Sequence, residues 1–337
     1  AREFPENTIA SLRSAIELGL DFVQFDVQLS SDEVPFVFHD DTLVRTPWAG
    51  LVAERSVQFV LITGVSTGIG FGAAKHLIAR GYHVIGSVRN AADGARVSAE
   101  LGSKFSPLVF DVTDDGAVLR AAADCEKITQ GQGLAGLINN AGIAKGGPLL
   151  HMPIEEIREN FEVNVIGMFR VTQAFAPQLG ARKDHPSLPG RILNISSVGG
   201  KMAAPFIGPY VGTKHAVEGM SHSLRRELLP YGIDVIIIGP GSVQTPIWGK
   251  RPPADRYANT DYAKPLQNFL SYMEKEASEG LTIDEIGEQI ASIFVNPKPK
   301  TRYALLKGKF SKWILPRLFP DRMVDRLLGK GTGLLKS

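Results

Sequence analysis

Two hydroxyl groups and one amine stand at a spacing that suits proton transfer to a carbonyl oxygen. Ser197 ends the apolar run R-I-L-N-I-S-S, Tyr210 follows thirteen residues later, and Lys214 lies one helical turn beyond it. Residues four apart share a helix face, so the phenol and the ammonium can converge on one ligand. A phenol titrates near ~10 and a neighbouring cation favours phenolate. The spacing therefore predicts a tyrosine that can exchange a proton near neutral pH.

A fourth polar residue, Asn164, lies among apolar neighbours in a helical pattern that begins P-I-E-E-I-R-E-N-F-E-V-N. A buried amide needs hydrogen-bond partners. A structural cap is one interpretation, and membership of the same site is the other. For Ser196 and His215 we expect local hydrogen bonding and packing. Cys125 lies in an Ala-rich helical pattern without a nearby base, so we do not expect a catalytic thiol.

Strands and helices must position these groups, and the first strand and helix are joined by a glycine-rich turn. V-Q-F-V-L-I is followed by T-G-V-S-T-G-I-G and by the helical pattern F-G-A-A-K-H-L-I-A-R-G. Glycines let the backbone approach a pyrophosphate, and a helix N-terminus offers N–H groups and a positive dipole end. A turn without ligand is the alternative, but the flanking strand and helix favour a dinucleotide. The predicted contacts are Gly64, Ser66, Thr67, Gly68, Ile69 and Gly70.

The end of the second strand bears on which dinucleotide binds. Y-H-V-I-G-S-V ends in Arg89 and Asn90, without the carboxylate that would bind an adenosine ribose diol and repel a 2′-phosphate. A guanidinium can pair with that phosphate. The sequence therefore predicts NADP over NAD, and the alternative is that Arg89 is a solvated loop cation.

Later strand ends add further candidate cofactor contacts. The strand P-L-V-F precedes a pair of residues expected at the adenine, N-N-A-G provides a bend of small residues, and I-D-V-I-I-I-G-P-G-S-V-Q-T turns across the nicotinamide. The predicted contacts in these three segments are Asp111, Val112, Asn140, Ala141, Gly142, Pro240, Gly241, Val243 and Thr245. Tyr210 and Lys214 are predicted to contact the cofactor as well.

From Val57 apolar strands alternate with amphipathic helices, the pattern of a parallel sheet with helices on both faces. T-G-V-S-T-G-I-G, D-V, N-N-A-G, I-S-S, Y-V-G-T-K and P-G-S-V-Q-T occur in that order. With these motifs the chain from residue 57 to about 305 resembles the short-chain dehydrogenase/reductase family. The resemblance implies an α/β fold with a Rossmann-type doubly wound sheet, a nicotinamide cofactor, and a homodimer or homotetramer built on helices near 154–178 and 209–229.

The resemblance also implies the catalytic tetrad Asn164, Ser197, Tyr210 and Lys214. It further places Thr245 on the nicotinamide carboxamide, and Thr213 stands where Ser or Ala is more usual. The implied reaction interconverts a secondary alcohol and a ketone or aldehyde. Ser197 would bind the substrate oxygen, Tyr210 would exchange its proton, Lys214 would lower the tyrosine pKa and hold the ribose, and Asn164 would position a water. The alternatives are a phosphodiesterase activity from the N-terminal segment, whose resemblance is described next, and a cofactor-binding protein without turnover.

The first fifty-five residues have a different character. P-E-N-T, D-V-Q-L-S-S-D and V-F-H-D-D-T-L-V-R-T resemble the opening of the glycerophosphodiester phosphodiesterase family over residues 3–46. The resemblance implies a fragment of a TIM barrel with Glu6 and Asp26 as metal ligands and His39 as a proton-transfer residue. Gln24 replaces one of that family's acidic ligands, and a barrel needs ~200 residues or more. We therefore expect residues 1–55 to be a non-catalytic remnant with a linker, and no metal site.

Two later segments have open interpretations. Residues 246–280 contain Trp248, Tyr257, Tyr262, Phe269 and Met273 and are predicted to form a lid over an apolar substrate, although such residues can equally pack on the core. Residues 308–337, after a main domain of residues 56–307, interleave Lys and Arg with Trp, Leu and Phe. This basic C-terminal segment suits packing or dimer contact, and also peripheral membrane contact. No nucleic-acid motif accompanies it.

Composition sets the outer limits. The 337 residues are 44% hydrophobic and 21% charged, enough for a sizeable core, and the net charge of +2 gives no reason to expect nucleic acid. The single cysteine fits a reducing compartment. No apolar run reaches the ~18 residues of a membrane span and no signal pattern opens the chain, so we expect a cytoplasmic protein. Because the chain starts with Ala, we expect it to begin partway through a longer protein.

Overall fold

The structure, a computed structural model, describes residues 27–29, 35–37, 57–183, 188–245 and 254–335. The chain divides into two compact units, Ala1–Ser56 and Val57–Ser337. In the first unit the described residues form two antiparallel strands, β1 (Val27–Leu29) and β2 (Pro35–Val37). Glu6, Gln24, Asp26 and His39 lie outside the described residues.

A seven-stranded parallel sheet lies at the centre of the second unit. Its strands are β3 (Phe59–Ile62), β4 (His83–Val88), β5 (Phe105–Val109), β6 (Gly136–Asn139), β7 (Arg191–Ile195), β8 (Asp234–Pro240) and β9 (Arg302–Leu305). Their order in the sheet is β5-β4-β3-β6-β7-β8-β9. The order reverses between β3 and β6, the position where doubly wound sheets bind ligands at the carboxyl ends of their strands. The predicted Rossmann-type fold is confirmed.

Helices cover both faces of this sheet. Alternate residues of β3 show the two faces, because Val60 and Ile62 belong to one buried cluster and Phe59 and Leu61 to the other. The helices are α1 (Gly68–Ala79), α2 (Ala91–Leu101), α3 (Asp115–Ile128), α4 (Ile154–Phe161), α5 (Met168–Phe175), α6 (Gly208–Glu227), α7 (Ala263–Ser278), α8 (Ile283–Val295) and α9 (Asp321–Thr332).

The buried cluster that contains Val60 and Ile62 joins α1 and α8. The backbones of these two helices lie close together where they cross. A Cβ atom added to Gly72 would lie 2.3 Å from the carbonyl oxygen of Ile283, and one added to Gly287 would lie 2.4 Å from the backbone of Gly72. Only glycine fits at both positions. The contact fixes α1, whose N-terminus follows the glycine-rich turn.

One predicted helix is interrupted. The pattern over residues 154–178 predicts a single helix, but a π-helical stretch, Glu162–Gly167, separates α4 from α5. Asn164 lies in this stretch. Wide turns of this kind occur often at functional sites because they redirect one side chain without ending the helix.

The lid and the C-terminal segment are largely helical where described. The described part of the lid comprises a 3₁₀ turn, Ala254–Tyr257, and α7. Trp248 lies outside the described residues. The C-terminal segment contains a π-helical turn, Phe310–Ile314, a 3₁₀ turn, Leu315–Leu318, and α9. Among the described residues, no helix is both long and apolar enough to cross a bilayer.

Candidate active site

Ser197 lies just past the carboxyl end of β7. Its backbone is extended and its Oγ accepts a hydrogen bond from the Gly199 N–H at 3.0 Å, which caps the short 3₁₀ turn Val198–Gly200. The same hydroxyl donates to the carbonyl of Pro240, at the end of β8, at 3.4 Å. The strand end and the adjacent strand together fix the direction of this hydroxyl.

Tyr210 and Lys214 occupy the first two turns of α6. The Tyr210 phenol lies beside the Ser197 side chain, which favours the charged form of the phenol. The buried Lys214 Nζ donates to the Ile195 carbonyl at 2.8 Å and lies 5.6 Å from the centre of the Tyr210 ring. The structure thus brings together two hydroxyls and one amine that are separated in sequence by up to seventeen residues.

The pKa of the Tyr210 phenol shifts in the opposite direction to the one that the spacing predicts. Burial raises the pKa of the Tyr210 phenol above its ordinary value, and the neighbouring Ser197 hydroxyl opposes this rise only in part. Burial also lowers the pKa of Lys214 to about 8. The predicted fall in the tyrosine pKa is therefore not found in this structure, because desolvation of the phenol outweighs the influence of its neighbours.

Asn164 is buried, and its amide is held by three hydrogen bonds. Oδ1 accepts from the Ile143 N–H at 2.8 Å, and Nδ2 donates to the Ile143 carbonyl at 2.9 Å and to Thr213 Oγ1 at 3.0 Å. Thr213 in turn donates to the Tyr210 carbonyl at 2.7 Å. These contacts agree with the interpretation of Asn164 as a structural cap. They also connect Asn164 to the first turn of α6 through the Thr213 hydroxyl, which an alanine at that position would lack.

The glycine-rich turn has the geometry of a phosphate cradle. Gly64 and Gly68 have φ values of +69° and +65°, which disfavour any residue with a Cβ. A Cβ on Gly70 would lie 2.5 Å from the carbonyl oxygen of Gly64. The cap residue of α1, Thr67, makes no side-chain cap hydrogen bond, so the first N–H groups of the helix are available to an anion. The residues present fit a dinucleotide pyrophosphate.

Two hydroxyls that the sequence analysis missed hold this turn in place. Thr63 Oγ1 accepts from the N–H groups of Asn140 and Ala141 at 2.9 and 3.0 Å. Ser87 Oγ accepts from the Gly64 N–H at 2.9 Å. The Asn140 Nδ2 donates to the carbonyls of Thr63 and Gly64, each at 2.9 Å. The predicted contact Asn140 therefore braces the turn with its side chain, and Gly142 lies beside Asn164.

Two arginines that follow β4, one directly after the strand and one on α2, have different surroundings. Arg89 is exposed and has no hydrogen bond or ion pair to any other residue that the structure describes. Arg96, on α2, donates to the Ser66 carbonyl at 2.6 Å and pairs with Asp93 and Glu100. Arg96 thus supports the glycine-rich turn, whereas Arg89 is available to a ligand.

The remaining predicted contacts lie at neighbouring strand ends. Asp111 Oδ1 already accepts from the N–H and the hydroxyl of Thr113, at 2.8 and 2.7 Å. Val112 is buried beneath Gly167 of the π-helical stretch. Thr245 lies beside Gly68, because a Cβ on that glycine would be 3.3 Å from its Cγ2. The residues expected to contact the two ends of the cofactor thus border one edge of the sheet.

The described lid residues bury one another. This agrees with the alternative interpretation, in which the aromatic residues of this segment pack on the protein itself. A buried cluster contains Phe206, Tyr257, Leu266 and Phe269, with Tyr262 and Met273 packed against it. Phe206 precedes Tyr210 by four residues, so this apolar cluster adjoins the start of α6. The Gly147 N–H donates to the Phe206 carbonyl at 2.7 Å, which connects the loop after β6 to the same cluster.

The fold and the cradle define the class, an α/β dinucleotide-binding oxidoreductase of the Rossmann type. The sequence model of the short-chain dehydrogenase family matches residues 58–256, and that of the glycerophosphoryl diester phosphodiesterase family matches residues 1–54. Since the first match covers more than half of the chain, the protein belongs to the short-chain dehydrogenase family. Both family resemblances inferred from the motifs are confirmed, and so is a nicotinamide cofactor, NAD or NADP.

Several characterised proteins are similar over most of this chain. The NADPH-dependent 3-dehydrocapnine reductase of Ornithobacterium rhinotracheale is 38% identical, over 81% of this chain and 97% of its own length. A 3-ketodihydrosphingosine reductase of Bacteroides thetaiotaomicron is 33% identical, over 80% and 96%. The crystal structure of a short-chain dehydrogenase from Streptomyces avermitilis superposes with a TM-score of 0.65 at 28% identity, over 82% of this chain and 97% of that one.

Proposed function

We propose that the protein is an NADPH-dependent reductase that converts an apolar ketone to a secondary alcohol, and that the reverse oxidation uses the same residues. The observation that carries this proposal is the placement of the Tyr210 phenol beside the Ser197 hydroxyl, with the buried Lys214 amine 5.6 Å from the centre of the tyrosine ring and anchored to the Ile195 carbonyl. The reductase direction is supported by the relatives, since the two described above are both named reductases.

The chemistry follows from the position of each side chain. The bound nicotinamide supplies the hydride. Ser197 donates a hydrogen bond to the substrate oxygen, and Tyr210 delivers its phenolic proton to the same atom as negative charge develops there. The Lys214 ammonium stabilises the phenolate that remains and holds the ribose hydroxyls. Asn164 keeps one acceptor lone pair on Oδ1, through which it positions a water.

NADP is proposed over NAD because Arg89 is exposed, unpaired within the described residues, and placed at the end of β4. An exposed guanidinium can form a bidentate pair with a 2′-phosphate. The dependence of one relative on NADPH supports the same choice.

The proposed substrate is apolar because the described lid packs an apolar cluster against the start of α6. The test is a series of straight-chain methyl ketones of increasing length, read by NADPH absorbance. Each additional methylene buried contributes ~0.8 kcal/mol, so kcat/KM should rise about fourfold per methylene until the cleft is filled. A short-chain optimum would contradict the apolar assignment. Failure of every ketone, aldehyde and alcohol with both cofactors would contradict the proposed reaction itself.

Self-association is proposed through α4, the π-helical stretch and α6. Ile154, Phe161 and Ile166 are exposed on the first two of these elements, and Met220 on the third. Exposed apolar side chains of this kind mark protein interfaces. Light scattering of the wild type and of Phe161→Glu tests the proposal, with a dimer or tetramer expected only for the wild type.

Peripheral contact with an anionic membrane, from the cytoplasmic side, is proposed for the C-terminal segment. Its Phe310 and Leu318 are 67% and 72% exposed, and the segment carries seven cations against two carboxylates. Co-sedimentation with phosphatidylserine vesicles should fall for Leu318→Glu and not for the control Leu229→Glu, which is similarly exposed after α6. Equal binding by both variants would refute the membrane contact.

A further inference from the structure

A buried carboxylate stands behind Ser197, outside the predicted tetrad. Glu218 lies on α6 two turns after Tyr210 and one turn after Lys214, and is only 1% exposed. Its Oε1 accepts a hydrogen bond from Ser196 Oγ at 2.9 Å. Because a buried carboxylate is costly without a partner, its surroundings must supply a cation.

The nearer of two cations is Arg302, from the edge strand β9, and the second, the Lys201 amine, lies 3.6 Å from Glu218 Oε2. The Arg302 Nε contacts both carboxylate oxygens of Glu218, at 3.0 and 2.9 Å. Its Nη2 extends past the carboxylate and donates to the backbone carbonyl of Ser197 at 3.3 Å. One guanidinium therefore joins the helix that carries Tyr210 and Lys214 to the residue that carries the second hydroxyl.

Two glycines leave the space that this network occupies. A Cβ on Gly239, in β8, would lie 2.6 Å from Arg302 Nη2. A Cβ on Gly200 would lie 2.6 Å from Ser196 Oγ and 3.0 Å from Glu218 Oε1. Neither glycine has a positive φ, so packing around the network is the constraint at both positions.

Trp313, from the C-terminal segment, covers the network on its outer side. The guanidinium carbon of Arg302 lies 4.6 Å from the centre of the Trp313 ring, and that of Arg317 lies at the same distance. Trp313 is buried, and stacking on an aromatic face leaves the in-plane N–H donors of Arg302 free for Glu218 and Ser197.

We propose that Arg302, held by Glu218 and covered by Trp313, is a positioning residue that sets Ser197 relative to Tyr210. Glu218 holds the Ser196 side chain, and Arg302 adds to the Gly200 N–H a second donor for the Ser197 carbonyl. The pair thus supports the backbone on both sides of the Ser197 hydroxyl. The C-terminal segment thereby becomes part of the support of the active site. This inference rests on the proposed role of Ser197.

The test is a double-mutant cycle between Arg302→Gln and Ser197→Ala. Turnover is measured with NADPH and the fastest ketone of the methyl ketone series, and the Kd for NADPH by fluorescence titration. If Arg302 acts through Ser197, R302Q should lower kcat about tenfold or more in the wild-type background and less than about twofold in the Ser197→Ala background. The Kd for NADPH should change less than twofold in either background.

Two further variants keep the experiment decisive. Arg302→Lys retains the charge beside Glu218, but a single amine lacks the planar set of donors needed to reach Ser197 as well. It should fold and still lower kcat, and it takes the place of R302Q in the cycle if R302Q does not fold by circular dichroism. Arg80→Gln is the matched control, because it breaks a partly buried ion pair with Glu288 away from Ser197. Its kcat should equal that of the wild type.

The outcomes separate this inference from the proposed function. Equal losses for R302Q in the two backgrounds, or no loss in the wild-type background, would overturn the positioning role alone. Full activity of Ser197→Ala would overturn the proposed role of Ser197, and the positioning role with it.

Discussion

The Lys214 amine lies 5.6 Å from the centre of the Tyr210 ring and donates its hydrogen bond to the Ile195 carbonyl at 2.8 Å. The amine is thus anchored to the end of β7, two residues before Ser197, and reaches the phenol through space. The positions of all three groups are therefore set by one strand end and one helix. This arrangement makes separate predictions for the phenol and the amine.

Replacing Tyr210 by Phe removes the proton donor and leaves the ring in place. We expect turnover to fall by at least ~10²-fold, the usual contribution of a positioned general acid, while the Kd for NADPH stays within about twofold. Stopped-flow absorbance and fluorescence titration measure the two quantities. Tyr231→Phe, at an exposed tyrosine after α6, is the control and should be fully active. Retained turnover in Tyr210→Phe would refute the role of the phenol.

The pH dependence of reduction should report Lys214. Burial lowers its pKa to about 8, so the amine is charged below that pH and neutral above it. The phenol, whose pKa burial raises, keeps its proton across this range. Since the ammonium stabilises the phenolate formed in reduction, kcat should decline as pH rises through about 8.

Lys214→Arg provides the comparison, because a guanidinium stays charged above pH 12. The residual activity of that variant should show no decline near pH 8. A flat wild-type profile from pH 7 to 9, or the same decline in the arginine variant, would contradict the assignment.

The hydrogen bonds of Asn164 predict a cost in stability as well as in rate. Asn164→Ala removes three hydrogen bonds and leaves the half-buried N–H and carbonyl of Ile143 without their partner. An intramolecular hydrogen bond contributes ~0.5–1.5 kcal/mol, so the free energy of unfolding should fall by roughly 2–4 kcal/mol. Thr213→Ser keeps the hydroxyl that Asn164 contacts and loses only a buried methyl group, so its free energy of unfolding should fall by about 0.5–1.5 kcal/mol. Urea denaturation followed by circular dichroism compares the two, and equal losses would contradict the account.

Much of this molecule could be predicted from its sequence because the motif residues follow buried strands. The apolar runs that form β3 and β7 can be recognised in the sequence. Because these strands are parallel, Gly64 and Ser197, which follow them, lie at the same edge of the sheet. The four-residue spacing of Tyr210 and Lys214 likewise predicts that the two residues share one face of a helix. Such patterns show which strand or helix contains a residue, and at which end of that element the residue lies.

Three features left no comparable signal. Thr63 and Ser87 are single hydroxyls whose partners lie in the loops that follow other strands. Arg302 meets Glu218 across 84 residues, so only the fold reveals the pair. The π-helical stretch at Asn164 preserves the apolar pattern of an ordinary helix. Burial raises the pKa of the Tyr210 phenol, and spacing does not encode burial.

Cofactor preference provides the last prediction, since the two arginines near the glycine-rich turn should behave differently. Arg89 is available to a 2′-phosphate, so Arg89→Leu should raise the KM for NADPH about tenfold, a loss of one charge-assisted pair, and leave that for NADH unchanged. Arg96→Leu removes the hydrogen bond to the Ser66 carbonyl in the turn that would hold the pyrophosphate common to both cofactors. Its KM values for NADPH and NADH should therefore rise by similar factors. Steady-state kinetics with each cofactor measure the four values. A wild-type preference for NADH, or parallel losses in Arg89→Leu, would show that Arg89 is a solvated surface cation.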